Sequence, residues 1–370
     1  MKKRLLIFHP TIAPYRIDFF NDLYRAFDTR VCLQYWNLRD QTFDYDKIYA
    51  QFAFEPHYLK EIVKLGARSL WGGFWKHLDE FDPDIVLVGE FNMTALMVLA
   101  HRFLKRKKYK VVSICDDSYN MVAENNDFSR FHRIARRLVA PRLDDLILVE
   151  PKVTQWYQEY YGKGICFPII KPEEKAREEY RRVLPMTNEV MKQYGIEGKR
   201  VFLFVGRLVA LKNVETAIRA FARLNQEENV FVVVGEGPER ERLEALAREL
   251  QANVLFTGRL EGDALNAWYD MADVFVLASF LEPFGAVTNE ALLAGCYALI
   301  SNKAGSSSLV VEGVNGYTFS PMDVDELADR MADVAKLPVE YEAGGMKKNQ
   351  MKVTYSEYMD GLVEALNVNR

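Results

Sequence analysis

Short runs of β-branched and aromatic residues alternate with longer segments of three- and four-residue apolar spacing along almost the whole chain. A parallel strand covered on both faces reads as an unbroken apolar run, and its crossover reads as an amphipathic helix. The alternation therefore predicts parallel sheets with helical connections. In the front half the strand candidates are 5–8, 31–35, 85–88, 111–115 and 146–149, with helices over 17–27, 93–104 and 128–138. Ser129 offers the last of these an N-cap. The pattern breaks in a charged stretch at 171–182, behind Pro168 and Pro172, and a short helical run at 189–194 follows Pro185. It restarts with strands at 201–205, 230–234, 254–256, 274–277 and 297–300, and helices at 214–224, 239–250, 263–271 and 286–293. A helix then runs to about Ala335, Gly344 and Gly345 interrupt, and an amphipathic stretch at 356–366 ends the pattern.

At 370 residues the chain is too long for one ordinary core, and 49% hydrophobic residues exclude disorder. The expected organisation is an α/β chain of two doubly wound units: residues 1–175, a linker at 176–197, and residues 198–352, with a helix within 353–370 returning to the first unit. Ligands of such folds sit beyond the carboxyl ends of the strands, so a cleft between two units is the expected site. The four cysteines, Cys32, Cys115, Cys166 and Cys296, are far apart and in apolar settings, which predicts a reduced, cytoplasmic chain rather than a disulfide framework. The apolar run behind Met1-Lys2-Lys3-Arg4 is too short for a signal peptide, and no segment approaches the roughly 20 apolar residues of a membrane span.

The net charge of −4 is unevenly spread, at +4 over 1–175 and −8 over the rest. Positive charge concentrates at 101–108 and in Arg130, Arg133, Arg136, Arg137 and Arg142. Such runs are commonly solvated helix faces; the rival reading is a surface for anionic lipid at an inner membrane face.

Four loops of the back half follow strands directly. In the sequence Glu282-Pro283-Phe284-Gly285-Ala286-Val287-Thr288-Asn289-Glu290, a glycine permits close backbone approach just before a helix whose first amides are free, a seat for phosphate. Read alone, Glu282 and Glu290 are ordinary solvated carboxylates. The loop 205–213 brings Arg207 and Lys212, a planar fork of donors and a mobile point charge, suited to a diphosphate or simply exposed. Gly235-Glu236-Gly237 lacks the third glycine of a dinucleotide fingerprint. Phe256-Thr257-Gly258-Arg259-Leu260 completes the set.

Taken in order, Gly-Arg-x4-Lys, Gly-x-Gly, Phe-x-Gly-Arg-Leu and Glu-Pro-Phe-Gly-x4-Glu-Ala-x2-Ala-Gly resemble glycosyltransferase family 4, retaining enzymes of the GT-B fold. The resemblance is specific from about Arg200 to Phe319 and looser in the front half, where it rests on element order and on the segment 12–17. It implies that Arg207 and Lys212 hold the diphosphate of a nucleotide sugar, that Glu290 takes the ribose hydroxyls and Glu282 those of the sugar, and that the amides of Phe284, Gly285, Ala286 and Val287 seat the distal phosphate. Gly235, Gly237, Arg259 and Leu260 would complete the donor side, the last two at the base. His9, Tyr15 and Arg16 are the acceptor-side candidates. No aspartate-rich metal motif stands out, so no metal and no cofactor beyond the donor co-substrate is expected, and the cations would stabilise the leaving diphosphate. The acceptor implied is a glycan or polyprenyl-diphosphate-linked glycan.

Two departures keep alternatives open. The first loop, 9–14, lacks the glycine pair that many members carry, and the histidine frequent after the fourth or fifth strand is replaced by Asp116 and Asp117, which suit either sugar contact or a turn. A GT-B UDP-sugar epimerase and a non-catalytic nucleotide-sugar-binding partner protein are the competing readings.

Overall fold

A computed structural model describes residues 1–36, 45–65, 68–124 and 129–368. The chain divides into one unit of Met1–Pro168 with Ser356–Arg370, and a second of Ile169–Tyr355.

The strands of the first unit are β1 (Arg4–His9), β2 (Asp28–Leu33), β3 (His57–Tyr58), β4 (Lys60–Leu65), β5 (Arg68–Gly72), β6 (Ile85–Gly89), β7 (Lys110–Cys115), β8 (Asp145–Leu148) and β9 (Ile165–Cys166). Its helices are α1 (Ile17–Ala26), α2 (Tyr45–Tyr49), α3 (Phe74–Phe81), α4 (Met93–Leu104), α5 (Tyr119–Ala123), α6 (Arg130–Val139) and α7 (Pro151–Tyr161). Seven strands form a parallel sheet in the order β3-β2-β1-β6-β7-β8-β9, while β4 and β5 pair antiparallel to one another. All five residues of β6 are buried, as a strand between two helical layers requires. The chain winds outward from β1 through β2 to β3, then returns to place β6 on β1's other side. The two strands adjacent at that reversal both end in loops, at His9 and at Gly89.

The second unit contains α8 (Glu173–Tyr194), β10 (Arg200–Val205), α9 (Val214–Phe221), β11 (Asn229–Val234), α10 (Arg240–Glu249), β12 (Val254–Gly258), α11 (Gly262–Met271), β13 (Val274–Leu277), α12 (Val287–Leu293), β14 (Tyr297–Ser301), β15 (Gly316–Phe319) and α13 (Val324–Ala335). Its six strands are parallel in the order β12-β11-β10-β13-β14-β15, so the reversal falls between β10 and β13. Both sheets are thus doubly wound, as the alternation predicts.

One stretch differs from expectation. The charged region around the expected linker is one 22-residue helix of the second unit, with Pro185 inside it and Gly195 as its left-handed cap at φ 62°. Ala176, Tyr180, Val183 and Thr187 are buried along one side of it, against α11, and that stripe outweighs the charges that surround it. The region around Trp71, Phe74 and Trp75 forms β5 and the start of α3. Phe74 is core, Trp71 lies edge-on to Tyr35, and the Trp75 indole N–H donates to the Met97 carbonyl. Phe128, the expected first residue of the α6 segment, lies outside the described residues.

The final helix, α14 (Tyr355–Asn367), joins the first unit from Ser356 onward. Met359, Leu362 and Leu366 are buried, Lys3 Nζ donates to the Asn367 carbonyl at 2.6 Å, and the Tyr358 ring meets Phe167.

Candidate functional site

In the second unit, the loop after β10 packs directly on the loop after β11. Leu208 N–H donates to the Glu236 carbonyl at 2.9 Å and Glu239 N–H to the Leu208 carbonyl at 3.0 Å. This contact accounts for both glycines of Gly235-Glu236-Gly237. A Cβ on Gly235, whose φ is 150°, would stand 1.8 Å from the Gly206 carbonyl oxygen, and one on Gly237 would stand 2.3 Å from that of Leu208. Their absent side chains serve the joining of two loops.

Lys212 ends a one-turn helix, Ala210–Lys212, and Asn213 then turns the chain at φ 51°. The Asn213 side chain is buried; it donates to the carbonyls of Ala278 and Pro321 and accepts from the Thr216 hydroxyl. That fixes the turn against the end of β13, a positioning role the sequence reading did not give it. Lys212 meets Glu282 in an ion pair. Because β10 and β13 are the strands that flank the reversal, this pair sits where ligands of doubly wound sheets bind. Arg207 is exposed and, among the described residues, its guanidinium has no partner.

The Glu282 segment interlocks with the turn Gly305–Leu309. Gly305 N–H donates to the Glu282 carbonyl and Ser306 N–H to that of Phe284 at 2.7 Å, while the Ser306 and Thr288 hydroxyls bond at 2.8 Å. Gly285 has φ 93°, and a Cβ there would press on Leu277 and Ser306. The Phe284 side chain is core. The amides of Phe284, Gly285 and Ala286 have no protein acceptor among the described residues, and Val287 begins α12. Glu290, further along that helix, has one oxygen 2.8 Å from Lys171 Nζ and the other 2.9 Å from the Tyr269 hydroxyl, which donates to it. Arg259 and Leu260 follow β12 at the sheet edge, away from the reversal; Arg259 pairs with Glu261. A separate cavity of about 1120 Å³ opens beside Arg200, Asn229 and Asp273, at the opposite, amino ends of the strands.

The first unit carries a second cluster at its own strand ends. His9 donates from Nδ1 to the Thr11 carbonyl at 2.7 Å, and burial holds its pKa down at about 4, so the ring is neutral. Arg16 is buried and pairs with Asp116, and among the described residues its other terminal nitrogen has no partner. Tyr15 beside it is exposed. Asp116 and Asp117 part company here. The Asp116 side chain is 41% exposed, whereas that of Asp117 is 1% exposed and accepts from His132 at 2.8 Å, Arg136 at 3.1 Å and the Tyr157 hydroxyl at 2.6 Å. Burial pushes the Asp117 carboxyl up, but the bonds from His132 and Tyr157 and the nearby charges more than offset this and hold it below its ordinary value. The same bond raises the His132 pKa, against its partial burial. Asp117 therefore anchors a buried network, which corrects its reading as a group facing a sugar.

Glu90 is the residue that sequence reasoning missed altogether. It follows β6 at φ 58°, accepts the Asp116 N–H at 3.1 Å and lies 3.5 Å from the Cys115 thiol. Burial, then the negative charges of Asp116 and Asp117, push its carboxyl up to about 7. Glu90, Cys115 and Asp117 are close enough to share an ion. Their chemistry does not fit one: Asp117 is already committed to cations, and burial keeps the thiol protonated.

Two doubly wound units, the second with an ion pair and free amides at its reversal, have the architecture of the GT-B fold. Residues 186–352, within the second unit, match the family Glycosyl transferases group 1. The chain is 32% identical over 178 residues to the uncharacterized glycosyltransferase MJ1607 of Methanocaldococcus jannaschii, covering 44% of this chain and 46% of that protein. It is 36% identical over 202 residues to a glycogen synthase of Mycobacterium tuberculosis, covering 53% and 46%. It thus spans less than half the length of these curated relatives. The crystal structure of Anabaena Alr3699/HepE with UDP superimposes with a TM-score of 0.71 at 17% identity, over 98% of this chain and 95% of that one, which shows the shared fold.

Proposed function

We propose that this protein is a retaining glycosyltransferase of family 4 that moves a hexose-type sugar from a UDP- or GDP-sugar to a glycan or lipid-linked glycan in surface polysaccharide assembly. The observation that carries the reading is the Lys212–Glu282 pair at the reversal of the second sheet, beside an unpartnered Arg207 and the free amides of Phe284–Ala286. A diphosphate placed there meets two cations and a row of N–H donors, which is what departure of a nucleoside diphosphate needs in place of a metal. Glu282, released from Lys212 by the incoming phosphate, takes the sugar hydroxyls. Glu290, oriented by Tyr269, takes the ribose, and Arg259 and Leu260 take the base. On the acceptor side, neutral His9, exposed Tyr15 and Asp116 are the groups able to meet a hydroxyl, with Arg16 holding Asp116. The Anabaena HepE structure, which shares the fold, was solved with UDP, and this supports a nucleotide ligand.

The test is calorimetry and thermal shift against UDP, GDP, ADP and dTDP, with Arg207→Ala as the control. One nucleotide is expected to raise the melting temperature of the parent protein and not of the control. Failure of every nucleotide and nucleotide sugar to bind would sink the reading.

A further inference from the structure

Helix α6 is turned inside out. Its inward side carries Arg136, buried and bonded to Asp117, with His132 on the same carboxylate and Val139 beside them. Its outward side carries Phe131, Ile134 and Leu138, which are 73%, 54% and 54% exposed. Spacings of three and four residues place these three on one narrow stripe. A helix left to the hydrophobic effect would rotate that stripe into the core; the Asp117 network forbids it, because Arg136 would then leave a buried carboxylate uncompensated. The flank of the stripe is cationic. Among the described residues Arg130 and Arg137 have no hydrogen-bond or ion-pair partner, and Arg133 lies on the same side. In the other basic run, Arg102, Lys105 and Lys107 are paired with Asp144, Asp79 and Asp82.

We propose that the outer face of α6 docks on an anionic lipid surface, with Phe131, Ile134 and Leu138 entering the headgroup boundary and Arg130 and Arg137 meeting lipid phosphates. An apolar stripe bordered by unneutralised arginines matches the layered chemistry of that interface, apolar below and negative above. A protein partner offers no such fixed layering. This inference stands on the first unit alone and is independent of the donor reading.

The experiment is vesicle flotation of the full chain with phosphatidylcholine alone and with about a third phosphatidylglycerol, where each arginine near such a surface favours binding. Flotation with the anionic vesicles only is expected, reduced on the order of tenfold or more by Arg130→Gln with Arg137→Gln. The triple variant Phe131→Gln, Ile134→Gln, Leu138→Gln should abolish it while melting close to the parent, since each of the three residues is more than half exposed. As a second readout, Phe131→Trp should shift its emission to the blue on adding anionic vesicles. Absence of flotation, equal flotation with neutral vesicles, or full flotation of the triple variant overturns the proposal. So does a parent dimer that the triple variant dissolves without any vesicle binding, which would assign the stripe to a second copy.

Discussion

Lys212 and Glu282 neutralise each other across the reversal of the second sheet, one from the turn after β10 and the other from the loop after β13. Both side chains are less than a fifth exposed. On the proposed donor reading, a ligand phosphate would compete with Glu282 for the lysine.

Glu282→Gln should therefore tighten binding of the nucleoside diphosphate, by up to about tenfold, because the phosphate no longer displaces a carboxylate from a partly screened pair. Turnover of the nucleotide sugar should fall by about a hundredfold or more, with stability lowered by on the order of 1–3 kcal/mol because a mostly buried lysine loses its counter-ion. Calorimetry with UDP and GDP checks the first point. Weaker diphosphate binding in this variant would remove Lys212 from the phosphate site.

Gly235→Ala should destabilise the second unit by on the order of 2–4 kcal/mol, since its Cβ would overlap the Gly206 carbonyl and its φ of 150° is costly for any side chain. Urea unfolding measures this. Nucleotide affinity at low temperature, where the variant is folded, should change much less, because the glycine serves the contact between two loops. A loss of affinity without a loss of stability would instead make it a ligand-facing glycine.

The strands of both sheets were readable because parallel strands are nearly pure apolar runs. The loops after β10, β12 and β13 were readable because their charged and glycine residues break those runs at fixed places. Helix α8 was not, since its buried stripe of Ala176, Tyr180, Val183 and Thr187 is diluted by charge and crossed by a proline. The network around Asp117 was hidden for a different reason. His132 and Arg136, one turn apart, look like part of a solvated basic run, and only the fold brings them onto a carboxylate 15 and 19 positions earlier. Glu90 gave no signal at all: it is one acidic residue after a strand, and its left-handed backbone is invisible in the sequence.

Glu90→Gln should alter the pH dependence of stability. The folded carboxyl is raised from 4.5 to about 7, so between those values the folded state holds a proton that the unfolded chain has released. Stability from this group is thus present at low pH and declines as pH rises to about 7. Glutamine keeps the acceptor for the Asp116 N–H and cannot ionise. The variant should match the parent near pH 4.5 and exceed it at pH 8 by on the order of 2–3 kcal/mol. Denaturant midpoints at the two pH values decide it; an unchanged difference between them would mean that Glu90 ionises normally.

Asp117→Asn should remove the charge that holds α6. Leaving Arg136 buried without its counter-ion costs about 3–5 kcal/mol, which urea unfolding would read. The His132 pKa, raised by its bond to Asp117, should fall back toward 6.5 in an NMR titration of the imidazole protons. The linkage has two edges in the parent: stability from Asp117 is lost as pH drops through its lowered pKa, and stability from His132 is lost as pH rises through its raised one. The variant should lose both edges together. If His132 keeps its raised pKa in Asp117→Asn, another acid holds it, and the orientation of α6 has a different cause.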